Sequence, residues 1–285
     1  MEPVHSALIV QDAALAARSL SLAHRLLAGS GRTAMLAYDL SPMAETSAMC
    51  HALSELGELL VACVADPEVP VTTWGQVPLR VRLEIVKEAP EWSVRIASSA
   101  VHLLGTLEWL SDDEQAERLA DPDLDPRVAH LAGLPGGRLG VVATDRVLLH
   151  DSAGVTPLAY EEIVETHLSR PAYPGPADEW EARELIGAVS PIDALDLFAA
   201  ADAGWDAAIE LSGRQQDTCP HMHGQLYCVD IDQVGLTLMS VSDSYSRVVL
   251  FAFSRPARNA AELAELVGQL LGTAAGVACG TQRAS

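Results

Sequence analysis

A chain of 285 residues, 49% hydrophobic but only 5% aromatic, is long and apolar enough for two cores built mainly from Leu, Val, Ile and Ala, and is too apolar for disorder. With 18 Lys and Arg against 39 Asp and Glu, it carries a net charge of −21 at pH 7; that charge argues against nucleic-acid and anionic-membrane partners, which need basic side chains to replace counterions. The five cysteines, Cys50, Cys63, Cys219, Cys228 and Cys279, are odd in number and form no CxxC pair, which points away from a disulfide framework or a zinc knuckle.

Cys63 and Cys228 lie in apolar runs and read as small buried hydrophobes. The first residues show no basic segment followed by an apolar run and a cleavage site, and no stretch of about 20 apolar residues stands out. The expectation is a cytoplasmic protein with no membrane span.

In chain order, residues 12–27 carry leucines at helical spacing, with Gly29 and Gly31 as a stop. Residues 33–40 read as a strand closed by Pro42, 47–56 as a short helix ended by Gly57, and 58–64 as an apolar strand before the turn Asp66-Pro67-Glu68. Residues 77–86 alternate: Val77, Leu79, Val81, Leu83 and Ile85 share one face and Arg80, Arg82 and Glu84 the other, a half-buried strand. Two further strands are expected at 94–97 and 101–107. Ser111-Asp112-Asp113-Glu114 opens a helix to about Leu119, and an acidic loop spans 121–126. Strands at 139–143, 147–150 and 155–158 complete the set. Regularly spaced short strands with few helices predict an antiparallel barrel.

The run Ser169-Arg170-Pro171-Ala172-Tyr173-Pro174-Gly175-Pro176 marks a domain boundary. It separates a barrel domain, 1–170, from a C-terminal domain, 177–285. Beyond it come a helical segment over 178–201, broken near Ser190-Pro191, a second helix over 205–211, strands at 225–229, 235–239 and 247–253, and a last helix over 259–271. The fold class is therefore α+β: an antiparallel barrel followed by helices packed on a three-stranded antiparallel sheet.

This order resembles haem-utilisation proteins of the HugZ type, which carry a pyridoxamine-phosphate-oxidase-like split barrel followed by a small α/β domain. The C-terminal pattern Val229-Asp230, Gly235-Leu236-Thr237-Leu238, Arg247-Val248, Phe251, Phe253, Arg255-Pro256 and Ala261-Glu262-Leu263 carries most of the resemblance, with Asp193-Ala194-Leu195 and the barrel segment Gly154-Val155-Thr156-Pro157. The resemblance implies an FMN-binding-like split barrel, a homodimer, and haem or another tetrapyrrole as ligand, bound or degraded. A histidine that the family carries two residues before Asp-Ala-Leu is Pro191 here, which favours binding or regulation over turnover. The alternatives are a non-catalytic module that docks a protein of tetrapyrrole metabolism, and a reductase using FMN or F420.

Two groups of residues carry candidate chemistry. Cys219-Pro220-His221-Met222-His223 places a thiol, two imidazoles and a thioether close together in a loop. His221 and His223 would share one side of an extended chain, as metal ligands, with Cys219 beside them. Arg80 and Arg82 share a strand face and suit the phosphate of a flavin. Basic side chains are sparse, so FMN ranks below haem. The scattered His102 and His150 read as structural histidines. No Gly-rich phosphate loop and no GxSxG elbow occurs.

Overall fold

The computed structural model describes residues 3–39, 44–64, 78–91, 94–215, 217 and 219–282. Pro42, the expected turn at 66–68 and Val77 lie outside them. The chain folds as two units, one made of Leu22–Lys87 and Ser99–Pro176, the other of Met1–Ser21, Glu88–Ser98 and Ala177–Ser285.

The first unit holds β1 (Arg32–Ala37), β2 (Ala44–Leu53), β3 (Leu59–Val64), β4 (Leu79–Glu88), β5 (Ala97–Trp109), β6 (Gly137–Ala143), β7 (Arg146–Asp151) and β8 (Gly154–Ala159). Their order is β4-β1-β2-β3-β6-β5-β7-β8, and β4 also pairs with β5. That extra pairing closes six strands into an antiparallel split barrel and leaves β7 and β8 as a wing. The alternation in β4 shows why: Leu79, Val81, Leu83 and Ile85 are buried, whereas Arg80 and Arg82 face outward. β3, Leu-Leu-Val-Ala-Cys-Val, is apolar on both faces because both are covered. Outside it, Leu60 and Ala62 pack with Val128 and Ala132 of α3 (Pro126–Ala132).

β5 serves two partners. Ala100–Leu103 pairs with β7 and Thr106–Trp109 with β6. Gly105 sits at the change of partner, where a Cβ would lie 2.5 Å from the Ala143 carbonyl oxygen. A side chain there would push the strands apart at the point where the wing leaves the barrel.

The second unit contains α5 (Glu179–Gly187), α6 (Pro191–Asp202), β9 (Ala208–Gln215), β10 (Gln225–Ile231), β11 (Gly235–Val241), β12 (Tyr245–Ala252) and α7 (Ala260–Gln282). The sheet order is β10-β11-β12-β9. Phe198 of α6 meets Phe251 of β12 edge to face, with ring centroids 5.7 Å apart. α7 buries Leu263, Leu266, Val267, Leu270, Ala274 and Ala278 at helical spacing.

The structure corrects several expectations. Residues 47–56 are not a helix; most belong to β2, which pairs with β1 on one side and β3 on the other. The C-terminal sheet has four strands, not three, because the expected helix at 205–211 is replaced by β9, paired along β12. The strand expected at 101–107 is part of the thirteen-residue β5, whereas residues 94–96 of the one expected at 94–97 lie outside any strand and only Ala97 joins β5. The last helix extends to Gln282, and within it Ala260–Gly280 is long and apolar enough, by length and composition, to cross a membrane. The sequence had shown no such stretch, because small Ala, Gly and Thr residues dilute its leucines. α1 (Pro3–Leu27) starts earlier than expected. Cys63 and Cys228 are buried, as expected, at 1% and 4% exposure.

Candidate functional site

Because side chains alternate across a strand, the residues between the core positions of β4, β5 and β7 all face outward. Val101 and Leu103 of β5 and Val147 and Leu149 of β7 are buried on the core side of the sheet. His102 and Leu104, and Leu148 and His150, therefore stand on its outer face. The register sets Ala100 opposite His150 and His102 opposite Leu148, so the two histidines are diagonal neighbours. Their ring centroids lie 4.6 Å apart.

Around this pair is a groove of about 650 Å³, within the size range of small-molecule and cofactor sites. Leu104 and Leu148 form its apolar walls, and Arg82, Arg146 and Tyr38 its polar border. Tyr38 follows β1 and is held beside β4 by a bond from its backbone N–H to the Arg80 carbonyl, 3.0 Å. Leu104 is 67% exposed.

The electrostatics favour a neutral imidazole beside cations. An Arg82 guanidinium N–H donates to His102 Nδ1 at 3.0 Å. His102 Nε2 lies 3.5 Å from a Glu84 carboxylate oxygen. Burial pushes the His102 pKa below its ordinary value; Glu84 opposes this, while His150 and Arg82 push the same way as burial. A neutral imidazole is the form that can meet a metal, and arginines at the border can take carboxylates in bidentate pairs.

The residues singled out from sequence fall in different places. Arg82 lines the groove. Arg80 faces outward from the same strand but is held by Asp39, with 2.7 Å between its guanidinium and the carboxylate. Pro220–Met222 forms a 3-10 turn, with Cys219 and His221 exposed. His223 lies 4.0 Å from an Asp243 oxygen. Among the described residues, no group of three or more His, Cys, Asp or Glu is placed to hold a metal ion. His102, His150 and Arg146 were not picked out as a site by sequence. The available signal was the alternation itself, which puts His102 and Leu104 on the outer face of β5 as it puts Arg82 on that of β4.

A smaller cavity of about 240 Å³ lies in the other unit between α5, α6 and β10. Its acid, Glu91, already accepts the backbone N–H of Cys228 at 2.6 Å, and its walls are mostly apolar.

No protein-family model matches the chain, and no curated protein does. The fold has a solved counterpart. A haem-binding protein from Mycobacterium smegmatis superposes with a TM-score of 0.52 at 17% identity, covering 90% of this chain and 97% of its own. A protein of unknown function from Agrobacterium tumefaciens covers 89% of this chain and 95% of its own, with a TM-score of 0.39 at 15% identity. A pyridoxine-phosphate-oxidase-family protein from Clostridium acetobutylicum covers 54% of this chain and 98% of its own, with a TM-score of 0.33 at 12% identity. The first of these supports the barrel-plus-sheet fold over nearly the whole chain; the other two superpose too loosely to add to it.

Proposed function

We propose that this chain binds a planar, carboxylate-bearing tetrapyrrole, haem in the first instance, in the groove outside β4, β5 and β7. The observation that carries the reading is the pair of imidazoles 4.6 Å apart in an apolar groove bordered by Arg82 and Arg146. Leu104 and Leu148 offer flat apolar contact to a ring. The two arginines offer charge-assisted hydrogen bonds to its carboxylates. An imidazole of the pair would offer a nitrogen to the iron. When bound, haem would supply a redox-active iron; the chain's own residues seat the ring, neutralise its carboxylates and shield one face from water. A solved structure that superposes on 90% of this chain with a TM-score of 0.52 is that of a haem-binding protein, which agrees with the reading.

The test is a hemin titration of the purified chain, followed in the Soret region. Saturation at one equivalent per chain is expected, with Arg82→Ala and Arg146→Ala each weakening binding by roughly tenfold, about 1.4 kcal/mol. A yellow protein that takes up FMN through the same arginines and ignores hemin would replace haem by flavin. A chain inert to both would favour the protein-docking module.

A further inference from the structure

An arginine guanidinium carries five N–H donors and no acceptor. The bond from Arg82 to His102 Nδ1, 3.0 Å, therefore fixes Nδ1 as the acceptor. In the neutral ring the proton must then sit on Nε2, which faces Glu84 at 3.5 Å. Neither nitrogen of His102 has a lone pair to offer unless Arg82 leaves. His150 differs: its ring packs against His102, but among the described residues no hydrogen bond holds either of its nitrogens.

We propose that His150, and not His102, is the imidazole this groove presents to a metal-centred ring. The assignment rests on the tetrapyrrole reading above and narrows it to one residue. His102 is a positioning residue. Locked by Arg82 and Glu84, it forms a fixed wall at 58° to the His150 ring, limiting the orientations His150 can adopt.

The two histidines also cannot act together from opposite sides of a ring. They stand on neighbouring strands of one sheet face, with centroids 4.6 Å apart. Metal–imidazole bonds of about 2 Å on each side, plus the depth of two rings, need a wider gap. The groove thus supplies one nitrogen ligand.

The experiment compares His150→Ala and His102→Ala with the wild-type chain, each loaded with hemin and read by absorbance, with far-UV circular dichroism confirming the fold. His150→Ala should lose the histidine-ligated spectrum and bind hemin at least about tenfold more weakly, and added imidazole should restore the spectrum. His102→Ala should keep the wild-type spectrum with a smaller loss of affinity. A wild-type spectrum in His150→Ala, or its loss in His102→Ala alone, overturns the assignment. A wild-type chain with no saturable Soret change overturns the tetrapyrrole reading itself.

Discussion

His24 is fully buried in α1, and its hydrogen bonds fix its protonation state. His167 Nε2 lies 3.1 Å from the Ser54 carbonyl oxygen and must donate to it. His167 Nδ1 is then an acceptor, and His24 Nε2 donates to it across 3.0 Å. His24 Nδ1 is left as a buried lone pair with no partner among the described residues, and a proton added there would be a buried, unpaired charge. Burial, then His167 and Arg170, push the His24 pKa down to about 4. His51, held between the Thr33 hydroxyl and the Leu26 carbonyl, is pushed down to about 4 mainly by burial. Each therefore binds its proton more readily in the unfolded chain, whose ordinary value is 6.5. Their stabilising effect is complete above pH 6.5 and is lost progressively as the pH falls towards 4. The urea midpoint should drop between about pH 7.5 and about pH 5, and His24→Leu should flatten part of that drop. An unchanged midpoint would contradict the buried neutral state.

At the scale of elements, local chemistry decides some boundaries and long-range pairing decides others. α2 (Asp112–Leu119) opens with a capping box in which Ser111 and Glu114 satisfy each other's backbone donors. Ser111→Ala should cost about 1 kcal/mol in urea denaturation; a change near zero would mean that packing alone holds the helix. This start was legible because Ser-Asp-Asp-Glu is a local signal, as was the break before α6, where Ser190 caps and Pro191 takes the first turn. α3 follows the acidic loop in a stretch given no element, although Asp125 before Pro126 is the same kind of start. β2 and β9 were misread as helices because Ala, Glu, Met and Leu suit a helix locally; partner strands beyond the reach of local propensity override it. The candidate site follows the same division. Arg82 was legible from the alternation of β4, but the meeting of His102 with His150 depends on the β5–β7 register, which pairs residues nearly fifty positions apart and leaves no local trace.

For the whole molecule, the barrel's outer face combines exposed apolar residues with arginines in a chain of net charge −21. Leu104 is 67% exposed, Val155 58% and Tyr38 43% on this side. The homodimer implied by the resemblance would cover this face and enclose the groove. Sedimentation should then show a dimer that Leu104→Glu converts to a monomer; a wild-type monomer would rule that assembly out. The groove itself is tested most directly by one measurement: the Soret titration of the His102→Ala/His150→Ala double variant beside His221→Ala/His223→Ala. The double variant of the groove should lose the one-equivalent hemin complex while the loop variant keeps it. Retention in the groove variant, with loss in the loop variant, would contradict the site and move the ligand to Cys219-Pro220-His221-Met222-His223.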